Sequence, residues 1–241
     1  MPLILLAFLC FQWFREMCLN EFESHRPDHF SNFRPPISDL KTQTHPPENL
    51  VLELRSIVEP LALAGLFQKP QPLEVELGCG DASFLVEYAR RHPQQNYIGV
   101  ERLLGRIQKL DRKGRRAGLT NLRGVRIESS YFLQYLLPPH AASALHIYFP
   151  DPWPKKKHRR QRLINENFPT LARAALAPDG VVYLRTDHLD YFQQMQEVFG
   201  AVKEFEKIET PAALAEIVTD FEREFNAQGI PTLRAAYRKH K

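Results

Sequence analysis

The chain has 241 residues, of which 44% are hydrophobic and 25% charged, enough to bury the core of one α/β domain with additions and too apolar for wholesale disorder. Its three cysteines, Cys10, Cys18 and Cys79, have no metal-type spacing and leave an odd count, which argues against a disulfide framework and for a reducing cytoplasm. The net charge is only +4, so any polyanion partner has to be read from clustering rather than from the total.

In chain order, residues 1–47 are expected to form an N-terminal extension and residues 48–241 the folded domain. The opening MPLILLAFLCFQWF is strongly apolar but lacks a basic start and a small-residue cleavage site. It is also shorter than the roughly 20 residues a membrane-spanning helix needs. A docking helix or an upstream-start artefact is the expected account, and no membrane association is assigned. Residues 20–49 are polar and rich in Pro, His and Asn, the composition of an irregular arm. Residues 48–67, ENLVLELRSIVEPLALAGLF, have helical apolar spacing that stops at Gly65, and a helix is predicted there.

After Pro70 and Pro72 a regular alternation begins. Apolar runs at 73–77, 96–100, 122–127, 144–149 and 180–186 read as strands, with helical stretches near 82–91, 102–117, 162–176 and 188–199 between them. Such alternation predicts βαβ units, a mainly parallel central sheet and helices on both faces. Right-handed crossovers then put ligand sites beyond the carboxyl ends of the strands. The late stretch YRK is expected to add an antiparallel edge.

The first strand runs into Glu76-Leu77-Gly78-Cys79-Gly80-Asp81 and then a helix. Gly78 and Gly80 let the backbone come close to a ligand. A dinucleotide fingerprint needs a third glycine where Ser83 stands. Glu101 ends the second strand about 20 residues on, where an acceptor suits ribose hydroxyls. Both a dinucleotide and S-adenosylmethionine satisfy that geometry. Glu76 favours the latter, because a carboxylate beside the turn repels a pyrophosphate and suits a sulfonium or ammonium group. Otherwise Glu76 is an edge-exposed strand acid.

The fourth strand leads into Tyr148-Phe149-Pro150-Asp151-Pro152-Trp153-Pro154-Lys155, in which three prolines stiffen the backbone around one acid and one indole. Lys155, Lys156, Lys157, Arg159, Arg160 and Arg162 follow without an acid. A second cluster places nine Lys or Arg between Arg102 and Arg126. Clustered cations are the footprint of a polyanion, or simply a solvated surface. His146, His158 and His188 lack zinc-site spacing, and no metal is predicted.

VELGCG, GVE, NLRGVRIES, YFPDPWPKKKH, RTDH (185–188) and TDFE (219–222) together resemble the bacterial tRNA (guanine-N7-)-methyltransferases, from about residue 70 to the C-terminus. The proline-flanked DPWPK is the specific signal; the glycine turn is not. The resemblance implies a Rossmann-like class I methyltransferase fold, S-adenosylmethionine as methyl donor, and methyl transfer to N7 of a variable-loop guanosine in tRNA. It also implies a cytoplasmic protein, monomeric or homodimeric. It puts Glu76, Gly78, Gly80, Glu101, Glu128 and Asp151 at the cofactor, with Asp151 also catalytic. It sets Lys155, Asp187, Thr219, Asp220, Phe221 and Glu222 against the guanosine.

In one departure, Glu128 stands where the family commonly has Asp, so its contact to adenine is expected to be longer or indirect. The first twenty residues have no counterpart. Guanine N7 carries a free lone pair at neutral pH, so Asp151 and Asp187 are expected to position and stabilise rather than to remove a proton. The target base is expected to be splayed out of the RNA fold, with Trp153 and Tyr148 as stacking or wall residues, or as packing. The run Lys155–Arg162 and the helix from Arg102 to Arg116 would carry phosphate contacts. Rival readings are a nicotinamide-dependent oxidoreductase and a non-catalytic RNA-binding protein.

Overall fold

The computed structural model describes residues 49–240, and the expectations for residues 1–47 lie outside them. Seven strands form one sheet: β1 (Leu73–Leu77), β2 (Asn96–Val100), β3 (Leu122–Val125), β4 (Ala142–Tyr148), β5 (Leu176–Thr186), β6 (Phe205–Ile208) and β7 (Leu233–Lys239). Their order is β3-β2-β1-β4-β5-β7-β6. β1 through β5 pair in parallel, and β7 runs antiparallel to both β5 and β6. The antiparallel edge is therefore a pair, with β6 outermost.

All five residues of β1 and of β2 are buried, as a parallel strand covered on both faces requires. One face packs Val75, Leu77, Ile98 and Leu145 against Phe132, Phe168 and Phe199. The other packs Tyr97 and Leu122 against Phe84, Leu85, Ile107 and Leu110. The covering helices are α1 (Ser83–Arg91), α2 (Leu104–Arg116), α3 (Phe168–Ala175) and α4 (Leu189–Gly200), followed by α5 (Ala212–Glu216) and α6 (Asp220–Ala227). Among the described residues no helix is long and apolar enough to cross a membrane.

The structure corrects several boundaries. No helix forms between residues 49 and 67. Pro60 forbids one through the middle of the stretch, and the open edge of β3 supplies backbone partners instead: Leu52 N donates to Gly124 O, and Gly124 N to Leu50 O, each at 2.8 Å. Tyr131 Oη donates to Ile57 O at 2.8 Å, and Leu61 N to Leu136 O at 2.8 Å, so the rest of the segment is tied down as irregular chain. The helix expected from residue 162 starts only at Phe168, with Pro169 in its first turn. β5 begins at Leu176 rather than 180 and breaks register between its pairs with Ala142 and Ala144. After β3, Ser129–Tyr131 turn into a π-helical stretch, Phe132–Leu136, that the sequence pattern did not suggest.

Candidate active site

The strand order runs outward from β1 through β2 to β3 on one side and from β4 to β5 on the other. This reversal opens a crevice at the carboxyl ends of β1 and β4, where an α/β sheet places its ligands. A cavity of about 420 Å³ lies there. Leu77 and Gly78 line it from β1, Glu101 to Leu103 from β2, Ile127 to Ser129 from beyond β3, and Tyr148 to Asp151 with Trp153 from β4; Arg106 closes the α2 side.

The glycine turn is built for close approach. Gly78 and Gly80 have φ of 74° and 55°, a backbone region nearly closed to other residues. Gly78 N and Cys79 N donate to Val100 O at 2.8 and 2.9 Å, pinning the turn to β2. The Glu101 carboxylate, 5% exposed, accepts from Gly80 N at 3.1 Å and from Leu103 N at 2.8 Å. A carboxylate has about four lone-pair sites, so Glu101 braces the turn and keeps capacity for two further donors.

Glu76 is not an edge-exposed acid. It sits two residues before Gly78 in β1, 4% exposed, and its Oε2 has no hydrogen-bond partner. Burial pushes its carboxyl up to about 8; the Arg185 charge opposes that shift, and Asp81 and Glu101 add to it. An orphaned buried carboxylate is costly unless something cationic or hydrogen-bonding meets it. Glu128 lies on the cavity wall, exposed, with both oxygens engaged as a helix cap by Ser130 N at 2.9 Å and Tyr131 N at 2.8 Å.

The proline loop holds two residues in the left-handed region without being glycine, Phe149 at φ 51° and Trp153 at φ 41°. Such positions cost about 1–3 kcal/mol each and persist only where surrounding contacts enforce them. Here Phe149 N donates to Arg185 O at 2.8 Å, and Arg162 Nε donates to Pro152 O at 2.7 Å. Arg162 is 1% exposed, bonds Gln194 at 2.7 Å and Asp190 at 2.6 Å, and lies 4.6 Å from the centre of the Tyr191 ring. Asp151 stands exposed on the cavity wall between these anchored points.

This geometry corrects the reading of the basic run. Arg162 is a buttress inside the protein, and Arg159 pairs with Asp190 at 2.7 Å. Among the described residues Lys155, Lys156, Lys157 and Arg160 make no ion pair, and all four are exposed. Trp153 lines the cavity and its ring lies 5.9 Å from that of His158. Tyr148 also lines the cavity, but its hydroxyl is bonded at 2.8 Å to His146 Nδ1, whose Nε2 meets Glu74 at 2.6 Å. Histidine 146 is thus fully buried in a side-chain chain.

Gly78, Glu101, Glu128 and Asp151 converge on one cavity; Glu76, Gly80, Lys155, Asp187 and Thr219–Glu222 do not line it. Asp187 follows the end of β5, half-buried. Thr219 and Glu222 cap α6 reciprocally, and Glu222 is fully buried with both Arg185 and Arg234 on its carboxylate. Asp220 is exposed and paired with Arg223, and Phe221 is 50% exposed. An aromatic series joins this helix to the proline loop, with Phe149 6.2 Å from Phe225 and Phe225 6.5 Å from Phe221.

Residues 70–235 match the model of a family described as putative methyltransferases. The tRNA (guanine-N(7)-)-methyltransferase of Syntrophotalea carbinolica is 32% identical over 182 residues, which cover 74% of this chain and 78% of that protein. The chain belongs to the tRNA (guanine-N7-)-methyltransferase family. The enzyme of that name from Thermotoga maritima is 31% identical over 183 residues, covering 76% of this chain and 58% of the relative. The fold is shared with the 16S rRNA methyltransferase KamB at a TM-score of 0.53 and 15% identity, over 76% of this chain and 95% of that one. A 30S ribosomal A1408 methyltransferase from an uncultured bacterium aligns at 0.50 and 18% identity, over 73% and 92%.

In this methyltransferase the basic helix expected to meet phosphates reaches the cavity, together with Leu103, which sequence reasoning passed over. Leu103 and Arg106, at the start of α2, form one rim of the cavity. From there a stripe of exposed cations, Arg106, Lys109 and Arg116, follows the helical repeat along α2, a distance of about 15 Å at 1.5 Å per residue. None of the three makes an ion pair among the described residues, whereas Lys113 beside them is held by Asp81 at 2.6 Å. In the sequence Arg162 stands only as part of the basic run and Arg185 only as the first residue of RTDH, and neither position points to a buried buttress.

Proposed function

We propose that this methyltransferase uses S-adenosylmethionine as methyl donor and acts on N7 of a variable-loop guanine in tRNA. One observation carries the reading: Gly78, Glu101, Glu128 and Asp151 meet at a single cavity at the end of the strand that holds buried Glu76, whose Oε2 has no partner. When bound, the donor supplies an electrophilic methyl group on a sulfonium. Glu76 matches its ammonium group, the spare lone pairs of Glu101 match ribose hydroxyls, and Glu128, fixed in orientation by its own helix turn, keeps spare lone pairs near the adenine.

Guanine N7 has a free lone pair, so the protein has no proton to remove before attack. What remains is alignment and charge. Asp151, on a loop locked at both ends, grips donors on the base and stabilises positive charge as it spreads onto the guanine. Lys155, Asp187 and the exposed part of Thr219–Glu222 face the guanosine and its neighbours. The free cations of the loop and of α2 take phosphates. Residues 48–241 are the catalytic unit in this reading, with residues 1–47 an appended arm.

The test is methyl transfer from labelled S-adenosylmethionine to an unmodified tRNA transcript, with the product nucleoside identified after digestion. The expected product is 7-methylguanosine. A protein that binds the donor yet leaves 7-methylguanosine undetectable would overturn the reading.

A further inference from the structure

Arg185 is 1% exposed near the end of β5. A guanidinium so deeply buried needs its donors matched and its charge balanced. Its Nη1 donates to Ile217 O at 2.9 Å and to Glu222 Oε2 at 3.0 Å, and its Nη2 donates to Leu214 O. Its guanidinium also lies 4.2 Å from the centre of the Tyr148 ring, which forms part of the cavity wall. Its own carbonyl takes the Phe149 N–H that opens the proline loop. One residue therefore touches the cavity wall, the root of the loop that carries Asp151, and the stretch leading into α6.

Glu222 takes the Arg185 charge by direct contact, with Arg234 as its second cation. The face of Tyr148 that meets Arg185 belongs to a ring on the cavity wall. A nucleoside seated in the cavity fixes that ring, and with it the guanidinium that holds Glu222 and the carbonyls of Leu214 and Ile217.

We propose that Arg185 is a positioning residue that couples the two halves of the site, so that filling the cofactor cavity and seating guanosine against Thr219–Glu222 strengthen one another. This rests on the function proposed above. The differential contact that coupling requires is at Tyr148 and the root of the proline loop, which Arg185 ties to Glu222.

The experiment measures S-adenosylhomocysteine binding to the full chain by calorimetry, with and without saturating tRNA. Wild-type protein is expected to bind the nucleoside roughly five- to tenfold tighter with tRNA present, within the usual range of coupling between sites. Arg185→Lys keeps the charge but cannot span Glu222 and both carbonyls. It is expected to lose most of that enhancement while still binding the nucleoside alone. Glu222→Gln, which keeps the shape and removes the charge, is expected to do the same and to raise the KM for tRNA more than it lowers kcat.

A purely structural role would weaken both ligands together and leave their ratio intact, so an unchanged ratio in either folded variant overturns the proposal. So does a wild type whose nucleoside affinity ignores tRNA. Should Arg185→Lys fail to fold, Glu222→Gln decides alone. A wild type that binds neither ligand overturns the function reading first, and needs no variant to show it.

Discussion

The molecule has two arginine-rich stretches that look alike on paper and differ in three dimensions. On α2 the cations Arg106, Lys109 and Arg116 stand on one exposed face, spaced by the helical repeat and free of partners among the described residues. After the proline loop, Arg162 is buried against Pro152, Asp190, Gln194 and Tyr191, and Arg159 is tied to Asp190. One stretch offers charge to solvent, and the other spends part of its charge holding a strained loop in shape. A guanidinium serves either purpose, because its planar fork matches a phosphate and a set of internal acceptors equally well. Only burial separates the two uses.

The sharpest way to test that division is at the loop's own acid. Asp151→Ala should lower kcat about a hundredfold or more, the scale of a misaligned reactant, while tRNA affinity measured by filter binding changes little. A comparable loss of affinity would mean that Asp151 binds rather than aligns.

Next comes the buttress. Arg162→Met strands the Pro152 carbonyl and the Gln194 amide oxygen, at about 2–3 kcal/mol for two unmatched acceptors, and should lower Tm by roughly 5–10 °C. The same exchange at Arg116 should stay within about 0.5 kcal/mol, as exposed sites do. Equal effects at the two positions would erase the comparison.

Glu76 is buried in β1 and belongs to neither stretch, which makes it a control. Its carboxyl rises from the usual 4.5 to about 8 on folding, so the folded chain holds a proton that the unfolded chain has lost across that window. Stability should therefore fall as pH rises from about 4.5 to 8. Binding of a cationic ligand favours the ionised form, so affinity for S-adenosylhomocysteine should climb with pH by at most about tenfold per unit up to pH 8. Glu76→Gln should flatten both profiles; a slope that survives it assigns the titration elsewhere.

The smallest effect belongs to α2. Reversing the charges of Lys109 and Arg116 should weaken tRNA binding and reduce the salt slope by about two, with nucleoside binding unchanged.

The sequence made the first half of the sheet legible because its signals are local. LEVEL and NYIGV are uninterrupted apolar runs, and the Gly78–Gly80 turn and Glu101 follow them at fixed distances. The opposite held for residues 49–67, whose helical spacing was overruled by Pro60 and by the free backbone groups of β3, a strand some seventy positions later. Thr219–Glu222 is a middle case. Its T-x-x-E pattern spells a capping box, so α6 was within reach of the pattern. That Glu222 would also be buried between Arg185 and Arg234 was not, since those partners come from other strands. The proline loop was recognised as rigid from its composition, but the two left-handed residues in it have no sequence mark, and nor does the arginine that enforces them.

The covering of β3 by Leu50–Leu52 has a consequence for how the chain emerges from a ribosome. Leu52 and Gly124, which share a hydrogen bond, are separated by about 70 positions, and at a synthesis rate of about 5–20 residues per second the earlier one waits roughly 4–14 s for its partner. For most of that interval Leu50, which ends fully buried, has no native neighbour, because its partners begin only at Asp111 and Gly114. A segment made before β3 therefore finds its place only once β3 has followed it.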